Sequence, residues 1–60
     1  MNLWRYNPIT GCWRMERMCG PDTAQQWLEL FSKDEPDAHF ALSRFAPRFN
    51  PTKQPVTVKD

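Results

Sequence analysis

The chain has 60 residues, of which 40% are hydrophobic and 13% aromatic. A chain of this length forms one domain at most and buries only about 60% of the surface that its unfolded form exposes. Its aromatic content excludes an intrinsically disordered chain. The net charge of +1, from eight basic and seven acidic residues, excludes a general polyanion binder and an acidic mimic of nucleic acid.

No apolar run reaches the length of a signal peptide core or the roughly 20 residues of a membrane span. We therefore expect a cytoplasmic protein without a membrane partner.

The first third of the chain has the pattern of a β-hairpin over residues 2–19. Residues 2–6 are rich in strand formers, and residues 12–19 alternate as a strand does. The second segment also contains good helix formers, but the turn before it favours a strand. Pro8 suits the first corner of a type I turn, and Gly11 suits the left-handed residue that closes it. A four-residue loop then fixes the register. The expected cross-strand pairs are Asn7 with Cys12, Tyr6 with Trp13, Arg5 with Arg14, and Trp4 with Met15.

Period-two alternation separates the hairpin into two faces. The aromatic face carries Trp4, Tyr6, Trp13 and Met15, and we expect it to be the core face. The opposite face carries Leu3, Arg5, Cys12, Arg14, Glu16 and Met18. On that face the paired arginines repel each other unless a carboxylate, apolar packing of their stems or a negatively charged partner compensates. Glu16 is the expected bridge to Arg14.

Residues 22–32 have the pattern of an amphipathic helix. Asp22 and Gln25 have capping-box spacing. Apolar residues follow at i, i+3, i+4 and i+7, which is the spacing of one helix face. These are Ala24, Trp27, Leu28 and Phe31.

A charged connector, residues 33–37, leads from the helix to a predicted third strand, residues 38–43, in which Phe40 and Leu42 share a face. Prolines then recur at every fourth position, which suits neither a helix nor a central strand. They are Pro47, Pro51 and Pro55.

We assign residues 1–46 to a single domain and 47–60 to an extended or flexible tail, in which 56–58 could dock as an edge strand. The predicted fold is a small two-layer α+β domain of β-β-α-β order with a Pro-rich C-terminal tail. Its three-stranded sheet is covered by one helix on the aromatic face.

The sequence predicts no metal site and no cofactor. Cys12 and Cys19 on one strand would lie on opposite faces and roughly 23 Å apart, so we expect free thiols. The single histidine, His39, cannot complete a zinc site with them unless acidic ligands or a second chain contribute. The two glycines, Gly11 and Gly20, each belong to a turn, and no phosphate-binding loop is present.

We also expect no enzymatic activity. A cysteine, His39 and the connector acids could be assembled in principle, but no Gly-rich oxyanion turn surrounds either thiol. Asp34, Glu35 and Asp37 have no apolar pocket that would separate their pKa values for acid–base work. They form a solvated loop or contact a basic partner. A small thiol-dependent enzyme is the remaining catalytic hypothesis.

The leading hypothesis is a non-enzymatic protein-interaction module that binds and modulates a larger partner. It rests on an arginine–apolar face that one helix leaves bare and on an unpaired sheet edge. Short chains of this style occur among bacterial and bacteriophage accessory proteins, so the partner could be a host factor of a phage-encoded protein. The expected contact residues are Leu3, Arg5, Arg14, Glu16, Met18, Phe45 and Arg48.

Two alternatives use the same surface. A second copy of the chain could cover it and form a symmetric homodimer. The arginine-bearing face could instead bind nucleic acid as a small accessory protein, with an affinity that falls steeply as salt rises.

Overall fold

A computed structural model describes residues 1–52 and 54–58 of the chain. One helix packs against a four-stranded mixed sheet, which confirms the α+β class and adds a fourth strand to the three expected. The elements are β1 (Asn2–Asn7), β2 (Cys12–Met18), α1 (Ala24–Asp34), β3 (Phe40–Ser43) and β4 (Val56–Thr57).

The sheet has the strand order β2-β1-β3-β4. Strand β1, one of the two interior strands, is antiparallel to both of its neighbours, and β4 is parallel to β3. The segment predicted as a tail thus contributes one edge of the sheet. Three of its residues, Lys53, Lys59 and Asp60, lie outside the described part of the chain.

The hairpin has the predicted register over its last four pairs, from Asn7 with Cys12 to Trp4 with Met15. Gly11 closes the turn with a φ of +71°, in the left-handed region that favours glycine. A β-bulge then shifts the pairing, because Leu3 pairs with Arg17 and leaves Glu16 as the extra residue.

The bulge changes which side chains share a face. Beyond it, Arg17 lies on the face of Leu3, and Met18 lies opposite Asn2 on the face of Trp4 and Met15. The prediction that Met18 lies on the opposite face from Met15 is therefore wrong. Strict alternation places it there only in a strand without a bulge.

The helix packs on the Leu3 face of the sheet, called here the helix side. Leu3 pairs with Leu42, and the two side chains are fully buried. With Phe40 they form the sheet half of the core, and Ala24 and Leu28 of α1 form the helix half. The prediction that the helix covers the aromatic face of Trp4, Tyr6, Trp13 and Met15 is therefore wrong.

The aromatic face is instead contacted by the C-terminal segment, and we call it the tail side. Trp13 Nε1 donates a hydrogen bond to the carbonyl of Phe49 at 3.1 Å, and the two rings meet edge to face at 5.5 Å. Indole N–H groups need an acceptor when they are partly buried. A helix uses most of its carbonyls internally, whereas irregular backbone offers them freely.

The helix also lies two residues later than the predicted 22–32. It begins after Thr23, which makes no side-chain cap hydrogen bond, so the expected capping box at Asp22 and Gln25 is not formed. At its other end the backbone N–H of Glu35 donates to Phe31 O at 2.9 Å. The longer C-terminal turn places Glu35 within reach of β1.

Candidate functional site

The predicted arginine pair exists, but it is neutralised by a different carboxylate. Arg5 and Arg14 lie directly opposite each other on the helix side of the hairpin. Arg5 donates from both terminal nitrogens to the two carboxylate oxygens of Glu35, each at 2.6 Å. This hydrogen-bonded contact raises the pKa of the Arg5 guanidinium above its usual value. The bridge predicted from Glu16 to Arg14 is thus supplied by Glu35 to Arg5.

A second arginine, which the alternation pattern of the sequence does not place on this face, is also engaged on the helix side. The guanidinium of Arg17 lies 3.7 Å from the centroid of the Trp27 ring on α1. Arg5 lies similarly over Phe40, at 5.7 Å. The guanidinium groups of both arginines therefore lie over aromatic rings that belong to the core or pack against it. Period-two alternation missed Arg17 because only the bulge turns it toward the helix.

The seven predicted contact residues have different environments. Leu3 is 0% exposed, so its assignment to a contact surface is wrong. The Arg5 guanidinium is committed to Glu35. The other five predicted residues are exposed. Arg14, Glu16 and Met18 lie together on β2, whereas Phe45 and Arg48 lie on the segment between β3 and β4.

Strand β2 is an open edge of the sheet. Its seven residues are all exposed except Trp13, which is half-buried, and β1 is its neighbour on one side. The opposite edge strand, β4, is only two residues long. An edge strand presents unpaired N–H and C=O groups on which another strand can form. The longer and more accessible of the two edges is therefore β2.

The hydrogen bonds of β1 identify which β2 groups point outward. Tyr6 N–H donates to His39 O at 3.0 Å, so the backbone of Tyr6 faces β3 and that of Arg5 faces β2. In an antiparallel sheet the direction alternates along the strand. Arg14, opposite Arg5, therefore directs its backbone groups toward β1. Its neighbours Trp13 and Met15 direct theirs to the open edge.

The backbone direction also alternates beyond the bulge. Cys19 N–H donates to Met1 O at 2.9 Å, so the backbone of Cys19 faces the β1 side. Met18, one residue earlier, then directs its N–H and C=O to the open edge. Three residues of β2 thus offer outward backbone groups.

An apolar patch lies beside this edge on the tail side of the sheet. Met15 is 46% exposed and Met18 is 76% exposed. Trp4, directly opposite Met15, is half-buried, and its Nε1 is already bonded to Ser43 O at 3.0 Å. We call Trp4, Met15 and Met18 the methionine patch. Methionine side chains are flexible and polarisable, which suits them to adaptable contact surfaces.

A groove lies between the hairpin and the segment that follows α1. Its volume is about 1010 Å³, and its lining includes charged residues from both sides, Arg14 and Glu16 from the hairpin and Asp34 and Asp37 from the end of α1 and the segment after it. His39 also lines it, with Nδ1 hydrogen-bonded to Thr52 O at 2.7 Å.

Neither cysteine lines that groove. Cys12 is an exposed free thiol and Cys19 a buried one, which confirms the prediction that both are unpaired. Within residues 1–52 and 54–58, no three His, Cys, Asp or Glu side chains are grouped as metal ligands would be. In the same part of the chain, the helix is too short and too polar to cross a bilayer.

Comparison of the chain with protein-family models, with curated proteins and with solved structures found no match. The features of the chain that indicate a function are therefore the geometry of β2 and the methionine patch.

Proposed function

We propose that the protein is a non-enzymatic interaction module that binds a larger protein through strand β2 and the methionine patch. The observation that carries this proposal is the seven-residue open edge with two exposed methionines beside it. Monomeric proteins usually shorten or cover such an edge. Methionine and aromatic side chains are enriched at protein–protein interfaces.

The composition of the surface supports a protein partner over a nucleic acid. Of the three hairpin arginines, Arg5 is paired with Glu35 and Arg17 is stacked on Trp27. The ring of Trp13, a candidate for base stacking, contacts Phe49 instead. Nucleic-acid binding needs free cations and accessible rings on one surface. The nucleic-acid alternative therefore has less support than protein binding.

The test is affinity purification from a lysate of the source organism with the full chain as bait. The informative variant is Met15→Glu/Met18→Glu, which places two charges on the methionine patch. Its matched control is Leu30→Glu, because Leu30 is also a large exposed apolar residue, at 55%, but lies on α1. Circular dichroism establishes that both variants are folded.

We expect a specific partner that the wild type and Leu30→Glu recover and that the double variant loses. Recovery of the same partner by all three proteins would remove the methionine patch from the proposal. Recovery of no partner, with a tight self-dimer in solution, would refute the proposed function.

A further inference from the structure

We infer that the partner binds by contributing an extended segment that pairs with β2 as a fifth strand, with acidic and apolar residues alternating along it. This inference rests on the proposed function and specifies its binding mode. It follows from two properties of β2, namely the direction of its backbone groups and the difference between its two faces.

The backbone of β2 offers a ladder that no described residue uses on its outer side. Trp13 and Met15 are two residues apart and both direct N–H and C=O outward, as one edge of an antiparallel or parallel ladder requires. Strand addition to an exposed edge is a recurring mode of peptide recognition, in which the ladder gives affinity and alternate side chains give specificity.

The two faces of β2 specify the side chains of the added strand. On the helix side β2 presents Arg14 and Arg17, and on the tail side it presents Met15 and Met18. A neighbouring strand sends successive side chains to opposite faces. A carboxylate on the helix side would lie beside Arg14, since the guanidinium of Arg17 is stacked on Trp27, and apolar side chains on the tail side would lie beside the methionines.

A second copy of β2 fits this edge less well than an acidic strand does. If two β2 strands paired antiparallel through the outward groups of Trp13 and Met15, the two-fold axis would pass through Arg14. The Arg14 side chains of the two copies would then lie directly opposite each other, and such like-charge pairs are destabilising.

The test uses two synthetic seven-residue peptides with blocked ends, one alternating glutamate with valine and the other alternating lysine with valine. Each is titrated into the ¹⁵N-labelled full chain, and amide shifts and hydrogen exchange are followed. The acidic peptide should shift the Trp13 and Met15 amides saturably and protect them from exchange. The Arg14 amide faces β1 and serves as the internal control, with unchanged protection.

The lysine peptide should bind on the order of tenfold more weakly because it places a positive charge beside Arg14. In the variant Arg14→Glu the preference of the edge should move toward the lysine peptide. This charge swap is specific, because a merely apolar contact would respond equally to both peptides.

Any of three results with the peptides would overturn the inference. They are equal binding of the two peptides, saturable binding that leaves the edge amides unprotected, and no binding of either peptide. Edge protection that grows with protein concentration in the absence of peptide would assign the edge to a second copy. If the bait still recovers a methionine-dependent partner while the peptides fail, the proposed function stands and strand addition is refuted. If both fail, the proposed function fails as well.

Discussion

The guanidinium of Arg5 and the carboxylate of Glu35 form a two-pronged ion pair, with both nitrogen–oxygen distances 2.6 Å. The pair joins β1 to the end of α1 across 30 positions of the chain. It also balances a like-charge contact, because Arg14 lies directly opposite Arg5 on the hairpin. The carboxylate of Glu35 thus connects the end of α1 to β1, and it offsets the repulsion between the two arginines.

Removal of that carboxylate should lower stability by a modest amount. The two side chains are 36% and 38% exposed, so solvent screens the pair. For Glu35→Gln we expect a loss of about 0.5–1 kcal/mol in the free energy of unfolding, measured by urea denaturation. The control is Asp37→Asn, an exposed carboxylate nearby, with a change within about 0.5 kcal/mol. Equal losses in the two variants would show that net charge, not the pair, is responsible.

The three hairpin arginines should not be equivalent. Arg17 lies over the Trp27 ring, so Arg17→Ala should cost about 0.5–1 kcal/mol of stability. Arg14 faces Arg5 instead, so Arg14→Ala should be neutral or slightly stabilising. Thermal unfolding of the two variants, measured side by side, distinguishes a loss of stability from no change or a gain. A similar loss in both would mean that the stacking on Trp27 contributes nothing of its own.

The hairpin could be predicted from sequence because its information is local. The four-residue loop closed by Gly11 fixes the pairs near the turn, and those pairs are as predicted. The bulge between Leu3 and Trp4 could not be predicted, because no residue type in that stretch requires one. Because of the bulge, Arg17 lies on the helix side and Met18 on the tail side, the reverse of what strict alternation predicts. The candidate contact surface differs accordingly.

The choice of core face could not be predicted because it depends on a long-range pairing. The sequence places Phe40 and Leu42 on one face of β3. It does not show whether that face of the sheet also carries Leu3 or Trp4. The register of β3 on β1 decides it, by pairing Leu42 with Leu3. The sequence predicts that an open edge exists, since a three-stranded sheet has unpaired edges. The alternation of the sequence, however, predicts a core position for Met15 and Trp13, which lie at the centre of that edge.

Leu3 should behave as a core residue and not as a contact residue. It is 0% exposed and packs against Leu28 and Leu42. For Leu3→Ala we expect a loss of about 2–5 kcal/mol, enough to unfold much of a chain this small at 37 °C. Leu30→Ala, an exposed leucine on α1, should change stability by less than about 0.5 kcal/mol. Near-native stability of Leu3→Ala in denaturant titrations would contradict the core described above.

The last prediction concerns the hydrogen bond that ties the C-terminal segment to the tail side of the sheet. Trp13→Phe keeps an aromatic ring against Phe49 but removes the N–H that reaches its carbonyl. Such a bond contributes about 0.5–1.5 kcal/mol. Because proteolysis follows the population of the open form, trypsin should cleave after Arg48 roughly three- to tenfold faster in this variant.

The matched control for that experiment is Trp4→Phe. It removes the equivalent indole N–H, but the acceptor there is Ser43 O at the end of β3 and not the C-terminal segment. Cleavage after Arg48 should therefore stay close to the wild-type rate in the control. If both variants are cleaved faster by the same factor, the loss is global, and the bond from Trp13 to Phe49 is not what holds the segment on the sheet.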